Sequence, residues 1–279
     1  MTRFKIYVAG PYTKGDKLEN TRRAIGIADG LFHFGFAPFV PHLSHFWESV
    51  TRRPYEYEDW MELDLAWVSA ADLVFRIDGE SPGADREIAY AEQRGIPVVY
   101  SISEAVAVRT EIELQRKVAT GITFVGPGQG GKDTASQMFA EITGLPFICS
   151  TSAIIGESFA SECGSSLEDL MVIRHANRDA WRARGDALRV DDQAALVRAC
   201  RDKGAKILNG IRSRIEITAA KREGLTGLVV WIERPGIPND PTLEFGPEVS
   251  DHVLFNDRGL DELRSALSAI ARQYGFPIA

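Results

Sequence analysis

Cysteine is scarce in this chain, with three in 279 residues: Cys149, Cys163 and Cys200. The number is odd and no pair is spaced C-x-x-C, which excludes a disulfide framework. All three are expected to be reduced packing residues of a cytoplasmic protein. Long apolar runs are missing, and Met1-Thr2-Arg3-Phe4-Lys5 leads straight into a strand pattern. Neither a membrane span nor a signal peptide is therefore expected. A basic excess is missing too, with a net charge of −7 and a pI of about 5.4. That excludes a broad face for a nucleic-acid polymer. Small anions remain possible partners, because a nest of N–H groups and a few Arg suffice to hold them. No repeat, low-complexity tract or Pro/Ser-rich linker interrupts the chain.

Hydrophobic residues make up 44% and charged residues 25%, enough apolar material for real cores. The length allows one large domain or two ordinary ones. Residues 4–9, 36–40, 72–77 and 97–100 read as strands. Helical spacing fills 18–34, 55–70, 84–94 and 103–118. Trp60 and Trp67, seven apart, share a helix face and suit a core or a dimer surface. Beyond Gly121 the alternation resumes, with strands at 122–125, 145–149, 206–209 and 228–232. Helices are expected at 134–142, 167–184, 191–203, 214–223 and 261–274. Strands alternating with helices at this spacing imply parallel sheets covered on both faces. The expected fold class is α/β with two domains, 1–119 and 120–279. The first is a flavodoxin/Rossmann-like parallel sheet and the second a P-loop kinase-like parallel sheet.

The most informative stretch is Gly126-Pro127-Gly128-Gln129-Gly130-Gly131-Lys132-Asp133-Thr134. Strand, glycine-rich turn, Lys and helix form the layout of a phosphate-binding loop. Glycines let N–H groups converge on an anion without a Cβ in the way, and the helix end adds partial positive charge. Lys132 supplies a mobile cation for outer phosphates. The match to G-x-x-x-x-G-K-[ST] holds to Lys132, then Asp133 stands where a hydroxyl is usual. Arg174, Arg178 and Arg182 fall at i, i+4, i+8, either a guanidinium row for phosphate or a solvated stripe.

In the first half, ligands are expected at the carboxyl ends of the strands. Those ends carry Gly10-Pro11-Tyr12, Pro41-His42, Asp78-Gly79 and the loop Ser81-Pro82-Gly83-Ala84-Asp85-Arg86-Glu87. Ser81 and Gly83 open a helix and suit a phosphate; equally, Ser81 and Asp85 suit plain capping. A carboxylate beside a sugar, here Glu87, can attack an anomeric carbon. His42 and His45 form an H-x-x-H pair with no third ligand evident, so His42 is expected as a cap or a base contact. Arg52-Arg53 is either a solvated pair or a phosphate contact.

Ile6-Tyr7-Val8-Ala9-Gly10-Pro11-Tyr12, Pro41-His42, Ala71-Asp72-Leu73-Val74, the 81–87 loop, Ala89 and Gly95-Ile96-Pro97-Val98 resemble the nucleoside 2-deoxyribosyltransferase superfamily. The resemblance covers about residues 3–102. S-x-G-x-x-x-E is similar to its nucleotide-acting branch, the 2'-deoxynucleoside 5'-phosphate N-hydrolases. It implies Glu87 as nucleophile, Ser81 and Gly83 on the 5'-phosphate, and Tyr7 orienting the Glu or the sugar. Asp72 or Asp78 would handle the base or a sugar hydroxyl. It also implies a homo-oligomer, a deoxynucleoside monophosphate and a free base.

The second half resembles the phage-type deoxynucleoside monophosphate kinases, on Gly131-Lys132-Asp133-Thr134 and on Asn209-Gly210-Ile211-Arg212-Ser213-Arg214-Ile215-Glu216. Val230-Trp231-Ile232-Glu233-Arg234-Pro235, Ser250-Asp251-His252 and Phe255-Asn256-Asp257 resemble its closing strand and tail. The resemblance implies ATP and Mg2+ as cofactors, held by Gly126, Gly128, Gly130, Gly131, Lys132, Asp133 and Thr134, with Asp133 toward the metal. Arg212, Arg174 and Arg178 would take the acceptor phosphate. Asn209-Gly210 departs from the pattern, where an Asp often stands, so no second metal carboxylate is evident.

Overall fold

The computed structural model describes residues 3–51, 55–145, 148–174, 176–238 and 240–279, apart from the side chains of His45, Glu48 and Ser49. Arg52, Arg53 and the His45 side chain thus lie outside the described residues. The chain forms two compact units, Met1–Glu113 and Leu114–Ala279. Each is α/β, and each contains one parallel sheet.

The first unit runs β1 (Lys5–Ala9), α1 (Lys17–His33), β2 (Ala37–Phe39), α2 (Ser44–Val50), α3 (Tyr57–Ala70), β3 (Leu73–Arg76), α4 (Pro82–Gln93) and β4 (Val98–Val99). It then enters α5 (Ile102–Thr120), within which the division between the units falls. The sheet order is β2-β1-β3-β4. Chain direction across the sheet reverses between β1 and β3, so their carboxyl ends flank a crevice. Alternation along β1 decides what faces what. Ile6 and Val8 join a core with Ala24, Ala28 and Leu31 of α1 and Ala105 of α5. Tyr7 and Ala9 turn to the opposite layer, against Val68 of α3 and Ala84 and Ala91 of α4. Trp67 lies 46% exposed and stacks on Phe39 at 4.4 Å, while Trp60 meets Trp47 and Tyr55 edge-on. The shared face therefore carries an aromatic cluster at the surface rather than a closed core.

The second unit begins β5 (Ile122–Val125), α6 (Lys132–Thr143), β6 (Ile148–Ser150), α7 (Thr151–Cys163), α8 (Leu167–Ile173), α9 (Arg178–Leu188) and α10 (Ala195–Asp202). It continues with β7 (Ile207–Asn209), α11 (Arg214–Arg222), β8 (Leu228–Glu233), β9 (His252–Phe255) and α12 (Leu260–Tyr274). The sheet order is β6-β7-β5-β8-β9, with the loop strand β5 central. Ile122 and Phe124 of β5, Ile207 of β7 and Val230 of β8 face Phe139 of α6 and Leu267 of α12. By the same period-two rule Asn209, two beyond Ile207, faces α6. Among the described residues no helix is long and apolar enough to cross a membrane. Cys149 and Cys200 are buried and Cys163 is exposed, all three as free thiols.

One expected element is corrected. The helix read across 167–184 is two helices, with Arg174 at the end of α8 and Arg178 at the start of α9. Asn177 explains the break: its backbone is non-helical (φ −117°, ψ 35°) and its side-chain amide donates to Ile173 O at 3.0 Å. Asn offers the backbone such an alternative readily. The element α7 was not read as a helix from the sequence.

Candidate active sites

The first site grows from β1, α3 and α4. On α4 the buried residues are Ala84, Glu87 and Ala91, so Glu87 occupies the apolar stripe. On α3 the buried residues are Met61 and Val68, and Asp64 falls between them at i+3 and i−4. Both acids therefore point at the layer that Tyr7 faces. The Tyr7 hydroxyl donates to Glu87 Oε1 at 2.9 Å, and Asp64 lies near enough for its charge to act on both groups. Tyr7 is fully buried and Glu87 only 5% exposed.

Burial is the main force on all three groups. It pushes the Glu87 carboxyl up to about 8, helped by the Asp64 charge and opposed by the Tyr7 hydrogen bond and Arg76. Burial also pushes Asp64 up to about 6, against the pull of the Tyr7 hydroxyl. The Tyr7 phenol is raised well above its usual value, first by burial and then by the two carboxylates. Near neutral pH the pair of acids therefore shares one proton and one negative charge.

The surrounding loops meet the expectations unevenly. Ser81 Oγ accepts from Ala84 N at 3.2 Å and contacts Gly10 O at 3.5 Å, so it caps α4 as the plain reading had it. A Cβ on Gly83 would lie 3.3 Å from the Tyr57 hydroxyl, so this glycine lets α4 approach α3. The Arg76 guanidinium clasps the β3–α4 loop, donating to Gly79 O at 2.9 Å and Asp85 at 2.8 Å. His42 is 3% exposed and kept neutral by burial, which outweighs its bond to Pro11 O at 3.0 Å. Its Nδ1 then remains a buried acceptor with no partner among the described residues. Tyr12 sits edge-on to this ring at 6.0 Å. Gly10, Pro11, Tyr12, His42 and Ser81 are thus linked around the β1 end.

Two expected acids do not join them. Asp72 precedes β3 and accepts from Lys5 N at 2.8 Å, which places it at the amino edge of the sheet. Asp78 is exposed, and its carbonyl accepts from Arg23 at 3.0 Å. Asp64, which none of the motifs includes, is the acid placed beside Tyr7 and Glu87. A signal existed: a lone carboxylate on the apolar stripe of a helix.

The second site centres on the loop between β5 and α6. Gly126 has φ 139°, and a Cβ there would meet the Ile232 carbonyl oxygen at 2.6 Å. Gly131 has φ 96° with Asn256 Nδ2 2.4 Å from the Cβ position. Gly128 N donates to Asp240 Oδ2 at 2.8 Å, and Gly130 is buried. Gly126→Ala is expected to lower stability by roughly 2 kcal/mol or more, from left-handed strain plus a backbone clash. Chemical denaturation compared with Gly236→Ala, whose Cβ position is open, checks that the clash contributes.

Lys132 Nζ donates to Gly126 O at 2.8 Å and Pro127 O at 2.6 Å. Burial, then the Arg212 charge, lowers it to about 8, against the pull of Asp133 and Asp240. Burial also pushes the Asp240 carboxyl up, yet hydrogen bonds from Thr242, Arg212 and Gly128 N outweigh it and hold it well below the usual range. Asn209 Nδ2 donates to Asp133 Oδ1 at 2.9 Å and Ser136 Oγ at 3.0 Å, so the residue standing where an Asp was sought steadies Asp133. Thr134 is exposed on the first turn and does not line the cavity, because only every third or fourth helix position shares the face of Asp133.

A cavity of about 320 Å³ opens from this loop. Lys132, Asp133, Arg174, Arg178 and Arg212 are among its lining residues. Although α8 and α9 are separate, the turn between them still brings Arg174 and Arg178 to the same space as Arg182. Burial, with the charges of Arg212 and Arg178, lowers the Arg174 guanidinium against the pull of Asp133. Among the described residues no group of three or more His, Cys, Asp or Glu is placed to hold a metal ion. Asp133 alone still suits Mg2+, which commonly takes one or two carboxylates plus phosphate oxygens and waters.

Fold and sites define a two-unit α/β protein with a carboxylate pair beside Tyr7 in one unit and a glycine-rich loop before Lys132 in the other. Residues 4–101 match the family described as Domain of unknown function (DUF7768). No curated protein matches the chain.

Proposed function

We propose that the chain is a bifunctional enzyme of deoxynucleotide metabolism. The first unit breaks the N-glycosidic bond of a deoxynucleoside 5'-monophosphate. At rest the shared proton lies mainly on Glu87; once it passes to Asp64, the Glu87 carboxylate attacks C1', the C1'–N bond breaks, and its electron pair leaves with the base. Asp64, holding the shared proton, protonates the leaving base. Tyr7 orients Glu87. Water or a second base then takes the deoxyribosyl group from Glu87. The observation that carries this reading is the buried Tyr7–Glu87–Asp64 group.

The second unit transfers a phosphate from ATP to a deoxynucleoside monophosphate. That reaction needs positioning and charge neutralisation rather than covalent chemistry. The loop N–H groups and Lys132 would hold the ATP phosphates, and Asp133 would hold Mg2+, which neutralises charge there when bound. Arg174, Arg178 and Arg212 would take the acceptor phosphate. Mixing the protein with ATP, Mg2+ and each deoxynucleoside monophosphate, then separating ADP and free base, tests both halves.

The first half also predicts a pH profile. Activity needs the pair singly protonated, so base release per second follows a bell with limbs near 6 and 8. The acid limb marks loss of the pair's one negative charge as both groups protonate, and the basic limb marks loss of the pair's remaining proton. Asp64→Asn is expected to cost 10²-fold or more, on the order of general acid catalysis, and to abolish the basic limb. A variant that keeps both limbs removes Asp64 from the reaction.

A second reading has an observation of its own. Asn209 replaces a metal carboxylate, and Asp240 already occupies the Gly128 N–H and pairs with Arg212. A regulator that senses ATP without transferring phosphate fits this. Its mark is an ATP-dependent rise in Tm with no ADP formed.

A further inference from the structure

The second-unit cavity has apolar lining as well as cations. Ile155, Trp181 and Leu196 supply apolar walls there, beside Gly185, Arg189 and Glu216. Gly185 lets Ile155 and Arg189 pack close to α9: a Cβ on it would sit 3.1 Å from Ile155 Cδ1 and 3.6 Å from Arg189 Nη1. Glu216 lies on the buried stripe of α11 with Ile217, Ala219 and Ala220, and is 1% exposed. Its Oε2 accepts from Arg189 Nη1 at 2.8 Å. Arg189 is held from its other side by Asp186 at 2.6 Å. Glu216 Oε1 is buried and has no hydrogen-bond partner among the described residues.

A carboxylate oxygen left unpartnered in an apolar recess is costly, and such an atom calls for a ligand donor. Apolar walls with a buried carboxylate beside them suit a nucleobase, which has two apolar faces and a polar rim. Lys132, Arg174 and Arg212 feel one another's charge and suit a phosphate, which leaves the apolar lining for the base. Resting on the kinase reading of this cavity, we propose that Glu216 is the specificity-determining residue for the acceptor nucleotide and selects bases that present an amino group on the edge it meets.

The chemistry separates the bases. Adenine, cytosine and guanine each offer an exocyclic N–H2 to an acceptor. Thymine and uracil offer one N–H between two carbonyl oxygens, whose lone pairs would oppose the carboxylate. Arg189 fixes the orientation of Glu216, so the acceptor cannot swing away. Asp186 keeps Arg189 from turning into the recess as a competing donor.

Equilibrium binding of dAMP, dCMP, dGMP, dTMP and dUMP to the full chain carrying Glu87→Gln, which leaves the nucleotides uncleaved, tests this, with the part of the binding that Glu216→Gln alters assigned to the second unit. At least one amino-bearing nucleotide should bind about tenfold or more tightly than dTMP and dUMP, the scale of one charged hydrogen bond. Glu216→Gln keeps an oxygen for Arg189 and turns an N–H2 into the recess. It should shrink that ratio to within about threefold or invert it. Equal binding of all five by the chain with Glu216 intact overturns the proposal, as does an unchanged ratio in E216Q. If E216Q does not fold, the series with Glu216 intact decides alone. Base-selective binding with no ADP formed from ATP would sink the kinase reading while leaving Glu216 as the selector. Absence of binding by every nucleotide overturns both.

Discussion

Glu87→Gln is expected to reduce base release from a deoxynucleoside monophosphate by at least about 10³-fold while ADP formation from ATP continues unchanged. The amide cannot form the glycosyl ester, yet it still accepts the Tyr7 hydroxyl now bonded to Glu87 Oε1 at 2.9 Å. Folding can be separated from chemistry by the sign of the stability change. The folded carboxyl titrates near 8 rather than its ordinary 4.5, because burial disfavours the charge. Between those values the folded state holds a proton that the unfolded chain has lost. Wild-type stability therefore falls as pH rises through that window. Glu87→Gln has no such fall and should be the more stable protein at pH 8, by roughly 2–4 kcal/mol. A variant both inactive and more resistant to denaturant at pH 8 shows that the lost activity is not lost fold. Full base release from Glu87→Gln would remove this residue from the reaction.

Lys132→Ala is expected to abolish ADP formation, by about 10³-fold or more, and to leave base release intact. No other described cation bonds the loop carbonyls of Gly126 and Pro127. Moving Nζ from those carbonyls to a phosphate replaces neutral partners by charged ones. That transfer has a second readout. Burial and Arg212 hold the free ammonium near 8, so part of it is neutral at pH 8. A bound triphosphate raises it, and binding must then take up protons near that pH. Calorimetry at pH 8 in two buffers of different ionisation enthalpy should show this uptake for the wild type and its loss in Lys132→Ala. Uptake that persists in the variant assigns the proton elsewhere.

Both predictions concern residues legible in the sequence, and the reasons are local. Glycine spacing around Lys132 is a contiguous motif, because the nest it forms is made by consecutive backbone groups. Glu87 stands six residues after Ser81 on one turn-and-helix segment. Asp64 was not legible in the same way. Its partners, Tyr7 and Glu87, are 57 and 23 positions away by their sequence numbers, and only the packing of α3 on β1 and α4 unites them. Asp72 misled because the motif around β3 says nothing of which sheet edge its first residue meets. The pairing of Lys5 N with Asp72 settles that edge. The break at Asn177 escaped the periodicity because the arginine spacing continues across it.

By itself the sequence determined the class of fold, the loop at Lys132 and the acid at Glu87. Each is encoded by neighbours along the chain: alternation of period two, helical spacing, and glycines in a row. Tertiary structure alone decided which acid joins Tyr7 and Glu87, what steadies Asp133, and which carboxylate oxygen of Glu216 is left without a partner. Those outcomes depend on desolvation and on contacts between distant segments, and both arise only once the layers close.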